Sequence, residues 1–361
     1  MTSDTPPLEE TSGLVSSEFN VYGVRQNIDA LQFEIGDKDF KQKFVALSRK
    51  LEARHLVARL ERFEGRLFIL IGKFYPSTSQ RPWIHRVLFA VTVTMVMIDG
   101  YYRTQAANSI VNIGDPVWIA VLYTASLMGI LGIHELGHMV AARYHKLKTS
   151  WPYFIPGIPV FGIPTFGAVI QSRAFMVNRD ILFDVGASGP IAGLIVAIVV
   201  SIFGAYLSPV IPESLAKEHF AHSDLIGMHE SIMMKAVLLL TGKVSEGTQV
   251  FMSPVMFAAW LGFLITFLNL LPAWQLDGGH IARAMFGNKL HRILTYVSVV
   301  ILFLLGYWFM ALYVLSFSSR TPGIRPLDDI SPLSRNRKAT FVALIGIAIV
   351  LAPLPSLTGM L

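Results

Sequence analysis

Leu131-Gly132-Ile133-His134-Glu135-Leu136-Gly137-His138-Met139-Val140-Ala141-Ala142 decides how the rest of the chain is read. It contains HExxH. In a helix, His134 and His138 stand one turn apart on one face. Two neutral imidazoles there can hold a zinc ion, and Glu135 beside them can take a proton from a water. Between Pro116 and Met139 the only formal charge is Glu135. About 20 apolar residues suffice to cross a bilayer, and ionisable groups placed there are costly and usually functional. The competing reading is a pair of interface histidines bonded to carbonyls. A chance HExxH in a chain of this length has odds of roughly 1 in 100.

The composition supports a membrane setting. Of 361 residues, 53% are hydrophobic and 15% charged, with a mean hydropathy of +0.53. There is no cysteine, which excludes a disulfide framework and a thiolate metal site. The net charge of +6 fits basic loops facing anionic lipid. No aromatic-basic pattern points to nucleic acid.

Residues 1–18 are rich in Ser, Thr and Pro, carry Asp4, Glu9 and Glu10, and read as a disordered tail rather than a signal peptide. Residues 19–84 read as a small soluble α/β domain. Ala30–Ile35 is a strand; Phe40, Phe44, Leu47 and Leu51 recur at helical spacing; His55–Phe63 and Arg66–Phe74 are strands joined at Glu64-Gly65. The predicted unit is β-α-β-β.

Residues 85–361 read as a membrane domain with about six spans: Val87–Ile98, 116–142, Val185–Val210, Ser253–Leu271, Ile293–Phe317 and Ala339–Leu357. Asp99 falls at the end of the first and reads as an interfacial helix end; His145 reads as interfacial. Thr149–Ser172 is uncharged, but four prolines and three glycines break any helix. It reads as a re-entrant loop with strand character at Thr165–Ser172, whose edge can pair with an unwound peptide. Gly186, Gly189 and Gly193 suit close helix packing against the HExxH helix. His219, His222, Asp224, His229 and Glu230 lie in a long loop, read as solvated or interfacial rather than as a second metal site, and Ile232–Leu240 as a short interfacial helix. Six spans place both termini on one side. Basic residues near Arg81 and Arg86, in 143–179 and in 283–292 favour that side as cytoplasmic, although 318–338 is also basic.

A catalytic zinc usually takes a third protein ligand. The metzincin pattern fails, because its third histidine position falls on Tyr144. The candidates are Asp180, Asp184, Asp277 and His280. Asp180 and Asp184 sit beside Arg179 at a polar helix entrance, where capping or pairing explains them. Asp277 follows an apolar helix broken by Pro272, with Gly278-Gly279 allowing a sharp turn. It is the best ligand, with His280 a neighbour.

His134-Glu135-x-x-His138, together with Asn269-x-x-Pro272-x-x-x-Leu276-Asp277-Gly278, resembles the site-2 protease family of intramembrane zinc metalloproteases. The run Asn178-Arg179…Phe183-Asp184-Val185-Gly186-Ala187…Gly189-Pro190 is similar to its archaeal and chloroplast (EGY-type) branch. The resemblance covers roughly residues 85–300. It implies an all-α polytopic membrane protein that hydrolyses peptide bonds of membrane-spanning, single-span substrate proteins at one catalytic Zn²⁺. His134, His138 and Asp277 would bind the metal, Glu135 would act as general base and acid, and Asn269 would bond the substrate backbone or the oxyanion. Thr165, Phe166, Gly167, Ala168, Val169 and Ile170 would hold the unwound strand. The expected setting is multi-pass in a cell membrane, with the N-terminal domain cytoplasmic and no nucleic-acid partner. The rival readings are a protease-inactive relative with a binding or regulatory role, and a metal-containing transporter. No inverted repeat supports the latter.

Overall fold

The computed structural model describes residues 6–27, 30–37, 39–74, 82–159, 163–170, 175–220, 231–320 and 324–353. The chain opens with helix α1 (Leu8–Ser16) and strands β1 (Val21–Gln26) and β2 (Ala30–Ile35). Helix α2 (Lys41–Glu52) and strands β3 (Leu56–Phe63) and β4 (Arg66–Lys73) follow. The four strands form an antiparallel sheet in the order β1-β2-β4-β3. Leu31, Phe33 and Ile35 alternate into the core, as one sheet face requires. Phe44, Leu47 and Leu51 line the buried stripe of α2.

Two expectations are corrected here. Residues 8–18 are not a tail: Val15 of α1 is fully buried in this core and Phe19 nearly so. The unit also has one helix and one strand more than β-α-β-β. The strand β1 escapes periodicity because it lies at the sheet edge with most of its residues exposed.

Helix α3 (Pro82–Asn108) and helix α4 (Pro116–Tyr144), which carries HExxH, come next. Asp115 caps α4, its side chain accepting from the Trp118 N–H at 2.8 Å, with Pro116 at the first helical position. Strands β5 (Tyr153–Ile158) and β6 (Ile163–Val169) form a hairpin that packs on α3, with β6 also reaching α4. Helix α5 (Arg179–Leu207) is capped by Asn178. Strand β7 (Val210–Pro212), helices α6 (Glu213–Phe220) and α7 (Ile232–Leu240) and strand β8 (Thr248–Val250) lead to helix α8 (Pro254–Leu270). Then come α9 (Asp277–Leu304), α10 (Trp308–Arg320) and α11 (Arg335–Leu351). Helix α5 is central, packing on α4, α8 and α9. It presents Gly186, Gly189 and Gly193 to its neighbours, so backbones and ligand-bearing side chains come close.

Among the described residues, three helices are long and apolar enough to cross a membrane: Trp83–Asn108, Pro116–Tyr144 and Arg179–Leu207. Pro254–Leu270 and Trp308–Ser319 are shorter apolar helices. The span read over 293–317 is not one continuous helix. Gly306, at a φ of 82°, ends α9 and separates it from α10. The chain is mostly helical rather than all-α, since 149–172 contains the β5–β6 hairpin and 210–250 the antiparallel pair β7–β8, with α6 and α7 between its strands. Gln171 and Ser172, the far end of the predicted strand, lie outside the described residues, as do His222, Asp224, His229, Glu230 and residues 354–357 of the last predicted span. The side chain of His219 does too.

Asp99 is likewise not a helix end. Helix α3 continues past it to Asn108, and Asp99 is buried. Its carboxylate pairs with Arg103 at 2.6 Å and accepts from the Tyr123 hydroxyl of α4 at 2.7 Å. Arg103 also lies over the Phe257 ring of α8, 3.8 Å from its centroid. One buried acid therefore ties three helices together. Asp99→Ala removes the carboxylate that Arg103 and the Tyr123 hydroxyl both bond, and should cost about 3 kcal/mol. Thermal unfolding of the purified protein in detergent checks this; an unchanged midpoint would show that the pairing does not hold the helices.

Candidate metal centre

Helix α4 places His134 and His138 four residues apart, and both turn toward α5 and the first residue of α9. His134 and Glu135 are buried. Their neighbour across the bundle is Asp277, which opens α9 after the turn Pro272–Leu276. That turn is tight. Trp274 adopts a φ of 43°, a left-handed conformation uncommon for a non-glycine residue. It is held from the far half of α9. The Thr295 hydroxyl accepts from the Trp274 N–H at 3.0 Å, and the His291 ring bonds the Trp274 carbonyl at 3.0 Å. Gly278 and Gly279 serve another purpose than the sharp turn read from sequence. Both lie within α9, and a Cβ at either would come within about 2.3 Å of the carbonyl oxygen of Leu270 or Trp274. The bareness of Gly278 lets the first turn of α9 press against the end of α8, and that of Gly279 lets it press against the turn at Ala273-Trp274.

The outcome is a three-cornered cluster. His134 Nε2 lies 3.2 Å from His138 Nε2 and 3.2 Å from an Asp277 oxygen; His138 Nε2 lies 3.3 Å from the other Asp277 oxygen. The tautomer of His138 follows from its other nitrogen. Nδ1 sits 2.7 Å from the Val185 carbonyl of α5, which can only accept, so Nδ1 carries the hydrogen. In the neutral ring, Nε2 then offers a lone pair toward the second imidazole and the carboxylate. Imidazole nitrogens and a carboxylate gathered around one point suit a cation held between them. Tetrahedral zinc, with bonds of about 2.0–2.1 Å, sets its ligand atoms about 3.3 Å apart, the spacing seen here. These residues fit a zinc ion, and theirs is the one such group among the described residues.

The remaining predicted site residues divide. Glu135 follows His134 on α4 and is buried beside the cluster. Asn269 lies on the last turn of α8, half-buried. Residues 165–169 are on β6 and Ile170 just beyond it. Thr165 is buried, its hydroxyl donating to the Ile155 carbonyl of β5 at 2.8 Å, while Phe166 and Val169 face outward. Asp180 and Asp184 are not ligands but pair, as their setting suggested. Asp180 meets Lys41 and Arg337, and Asp184 meets His145 and Arg337. His280 stays outside the ligand set. Two contributors were missed in the sequence. The Val185 carbonyl has no side-chain signature. Gly189 was read only as a packing residue, yet a Cβ there would sit 2.1 Å from His138 Nε2.

This last contact gives a sharp expectation. Gly189→Ala must push the His138 ring aside and should weaken zinc retention roughly 100-fold. Gly132→Ala, on the HExxH helix where an added Cβ meets nothing within 4 Å, should retain it. Zinc content after dialysis against a chelator distinguishes them, and equal retention would contradict the cluster.

Comparison with known families agrees with this geometry. The family described as Peptidase family M50 matches residues 122–307, more than half the chain, from α4 to the start of α10. The chain is 32% identical over 238 residues to "Probable zinc metalloprotease EGY2, chloroplastic" of Oryza sativa subsp. indica, covering 62% of this chain and 39% of that protein. It is 33% identical over 242 residues to "Probable zinc metalloprotease EGY1, chloroplastic" of Arabidopsis thaliana, covering 63% and 41%. The chain thus aligns with about two fifths of the length of these curated relatives. No solved structure matches. With the HExxH helix, the later Asp277 and the stretch between them all inside the matched region, the chain belongs to peptidase family M50, the site-2 proteases.

Proposed function

We propose that this chain is a zinc-dependent intramembrane endopeptidase that cuts membrane-spanning proteins. The observation that carries the reading is the buried convergence of His134, His138 and Asp277 with Glu135 alongside. These three residues would hold the ion. A zinc ion there supplies a Lewis acid that polarises a carbonyl and makes water more acidic. Glu135 takes the proton from the attacking water and returns it to the leaving amine. The Val185 carbonyl keeps His138 in the tautomer that leaves Nε2 free. Asn269 bonds the substrate backbone or the developing oxyanion.

The substrate is a single membrane-spanning helix, opened locally because its peptide bonds are otherwise shielded by their own hydrogen bonds. The segment Thr165–Ile170 receives the opened strand. One edge of β6 is paired with β5, and no strand among the described residues takes the other. The bilayer setting follows from the three long apolar helices. In the proposed arrangement α8, the α9–α10 pair and α11 complete six crossings, with the hairpin re-entrant. The N-terminal unit from α1 to β4 forms a soluble domain on the cytoplasmic side of a cell membrane, as the basic flanks favour. The curated relatives are named chloroplastic, which is a statement about those proteins.

Glu135→Gln should leave zinc bound and lower cleavage of a model membrane substrate by about 10²–10⁴-fold, whereas Asp277→Ala should lose the metal as well. Cleavage by Glu135→Gln at the parent rate would refute the protease reading. Proline at Ala168, by removing a backbone donor from β6, should slow cleavage while zinc content stays intact. Unchanged rates would remove the strand clamp and leave the metal chemistry standing.

A further inference from the structure

The N-terminal sheet is joined to the bundle by backbone. The Leu60 N–H on β3 donates to the Leu327 carbonyl at 3.0 Å. The Leu327 and Asp328 N–H groups donate to the carbonyls of Met176 and Val177, just ahead of α5, at 2.9 and 2.8 Å. Asp328 is fully buried and folds this strap on itself. Its carboxylate accepts from the N–H groups of Ile330 and Ser331 and from the Ser331 hydroxyl. Lys41 of α2 adds a bond to the Pro332 carbonyl at 2.9 Å.

This strap delivers the next residue, Asp329, to a particular place. Its carboxylate is gripped by both guanidinium nitrogens of Arg283 on α9, at 3.0 and 2.6 Å, and by Arg179 on α5 at 3.1 Å. Arg179 also donates to the Asp329 carbonyl at 2.7 Å. Arg283 is almost fully buried. The two arginines belong to the two helices that bring α4's histidines their partners. Arg179 lies six residues before Val185, whose carbonyl orients His138, and Arg283 lies six residues after Asp277. Each is about 9 Å along its helix from the group it bears on, at 1.5 Å per residue. Beneath them α9 kinks at Gly287, at a φ of 79°, where an added Cβ would lie 3.3 Å from Arg179.

We infer that Asp329 is a positioning residue for the metal cluster, acting by neutralising Arg179 and Arg283 so that α5 and α9 close on α4. Two guanidinium groups that share one carboxylate oxygen repel each other once that carboxylate loses its charge. The clamp then becomes a wedge between the helices that carry Val185 and Asp277. The cluster tolerates little of this, because metal–ligand distances hold within about 0.2 Å. The N-terminal domain thereby contributes to metal binding without touching the metal. This rests on the metallopeptidase reading.

The test is zinc affinity of the full-length protein in detergent, by chelator competition, beside thermal stability of the zinc-free form. Asp329→Asn should bind zinc about 10–100-fold more weakly than the parent. Adding Arg283→Met removes one of the repelling charges and should recover part of that loss, which a merely structural role would not produce. Zinc binding by Asp329→Asn within about twofold of the parent overturns the role and leaves the protease reading intact. Where Asp329→Asn alone does not fold, the double variant decides: folding with zinc affinity restored toward the parent supports the inference, and a double variant that still does not fold, or that binds zinc about 100-fold or more weakly than the parent, shows no relief from removing the charge and overturns it. A parent that takes up no zinc overturns both readings.

Discussion

Three lone-pair-bearing atoms about 3.3 Å apart, deep in a helical bundle, are unstable company without a positive charge among them. Two imidazole nitrogens and a carboxylate that face one another away from bulk water lose hydration, and in the tautomer that the Val185 carbonyl selects for neutral His138 its Nε2 offers only a lone pair, which leaves the His134 ring as the one possible donor among them. The surrounding architecture resolves this conflict by making the corner fit a metal ion. Helix α4 supplies two corners by simple periodicity. Helix α9 supplies the third from its first residue, where the helix N-terminus also favours a carboxylate. Helix α5 passes between them with glycine where any side chain would strike the ligand ring.

This dependence explains where the structure is tight. Gly278 and Gly279 are bare because α9 must start against the end of α8 and the turn at Ala273-Trp274 for Asp277 to reach the histidines. Trp274 accepts a left-handed backbone because Pro272–Leu276 must reverse the chain in few residues. The far half of α9 reaches back to satisfy the Trp274 N–H and carbonyl. Strain at such a turn persists only where neighbours over-determine it. The Asp99–Arg103–Tyr123 group does comparable work between α3 and α4, remote in sequence from the ligands, so that the HExxH helix is fixed along its length.

Much of this was legible in the sequence because it depends on local rules. A four-residue histidine spacing reports a helix face directly, and a run free of charge except for Glu135 reports a bilayer setting. Asp277 could be singled out by elimination, since the other acids had helix-entrance explanations that the pairs with Lys41, Arg337 and His145 agree with. What periodicity could not report were relations set by partners distant in sequence. Helix α1 looks disordered by composition, yet it is ordered by burying Val15 under a sheet formed later in the chain. Asp99 looks like a helix end until Tyr123 is known to lie beside it. Gly306 sits inside an apolar run that hydropathy averages into one span, while the backbone breaks there. The proline-rich stretch reads as irregular, yet the described part pairs as a hairpin that places prolines at both strands.

The basic stretch near the C-terminal end of the bundle illustrates the same point from the side of charge. Residues 318–338 weakened the orientation argument when counted as loop charges, because positive-inside counting treats every base as solvated. In the folded chain Arg337 is spent on Asp180 and Asp184, and Arg179 and Arg283, counted among the cytoplasmic flanks, are held by Asp329. Bases locked to acids offer lipid headgroups far less than their number suggests. The paired charges do a structural job: they lock the N-terminal turns of α5, α9 and α11 to one another and to α2 of the N-terminal domain. The N-terminal domain is fastened to these helix entrances by the Lys41–Asp180 ion pair and by the backbone bond from Leu60 to Leu327, so the acid that holds Arg179 and Arg283 sits on a strap bonded on one side to the sheet and on the other to the start of α5.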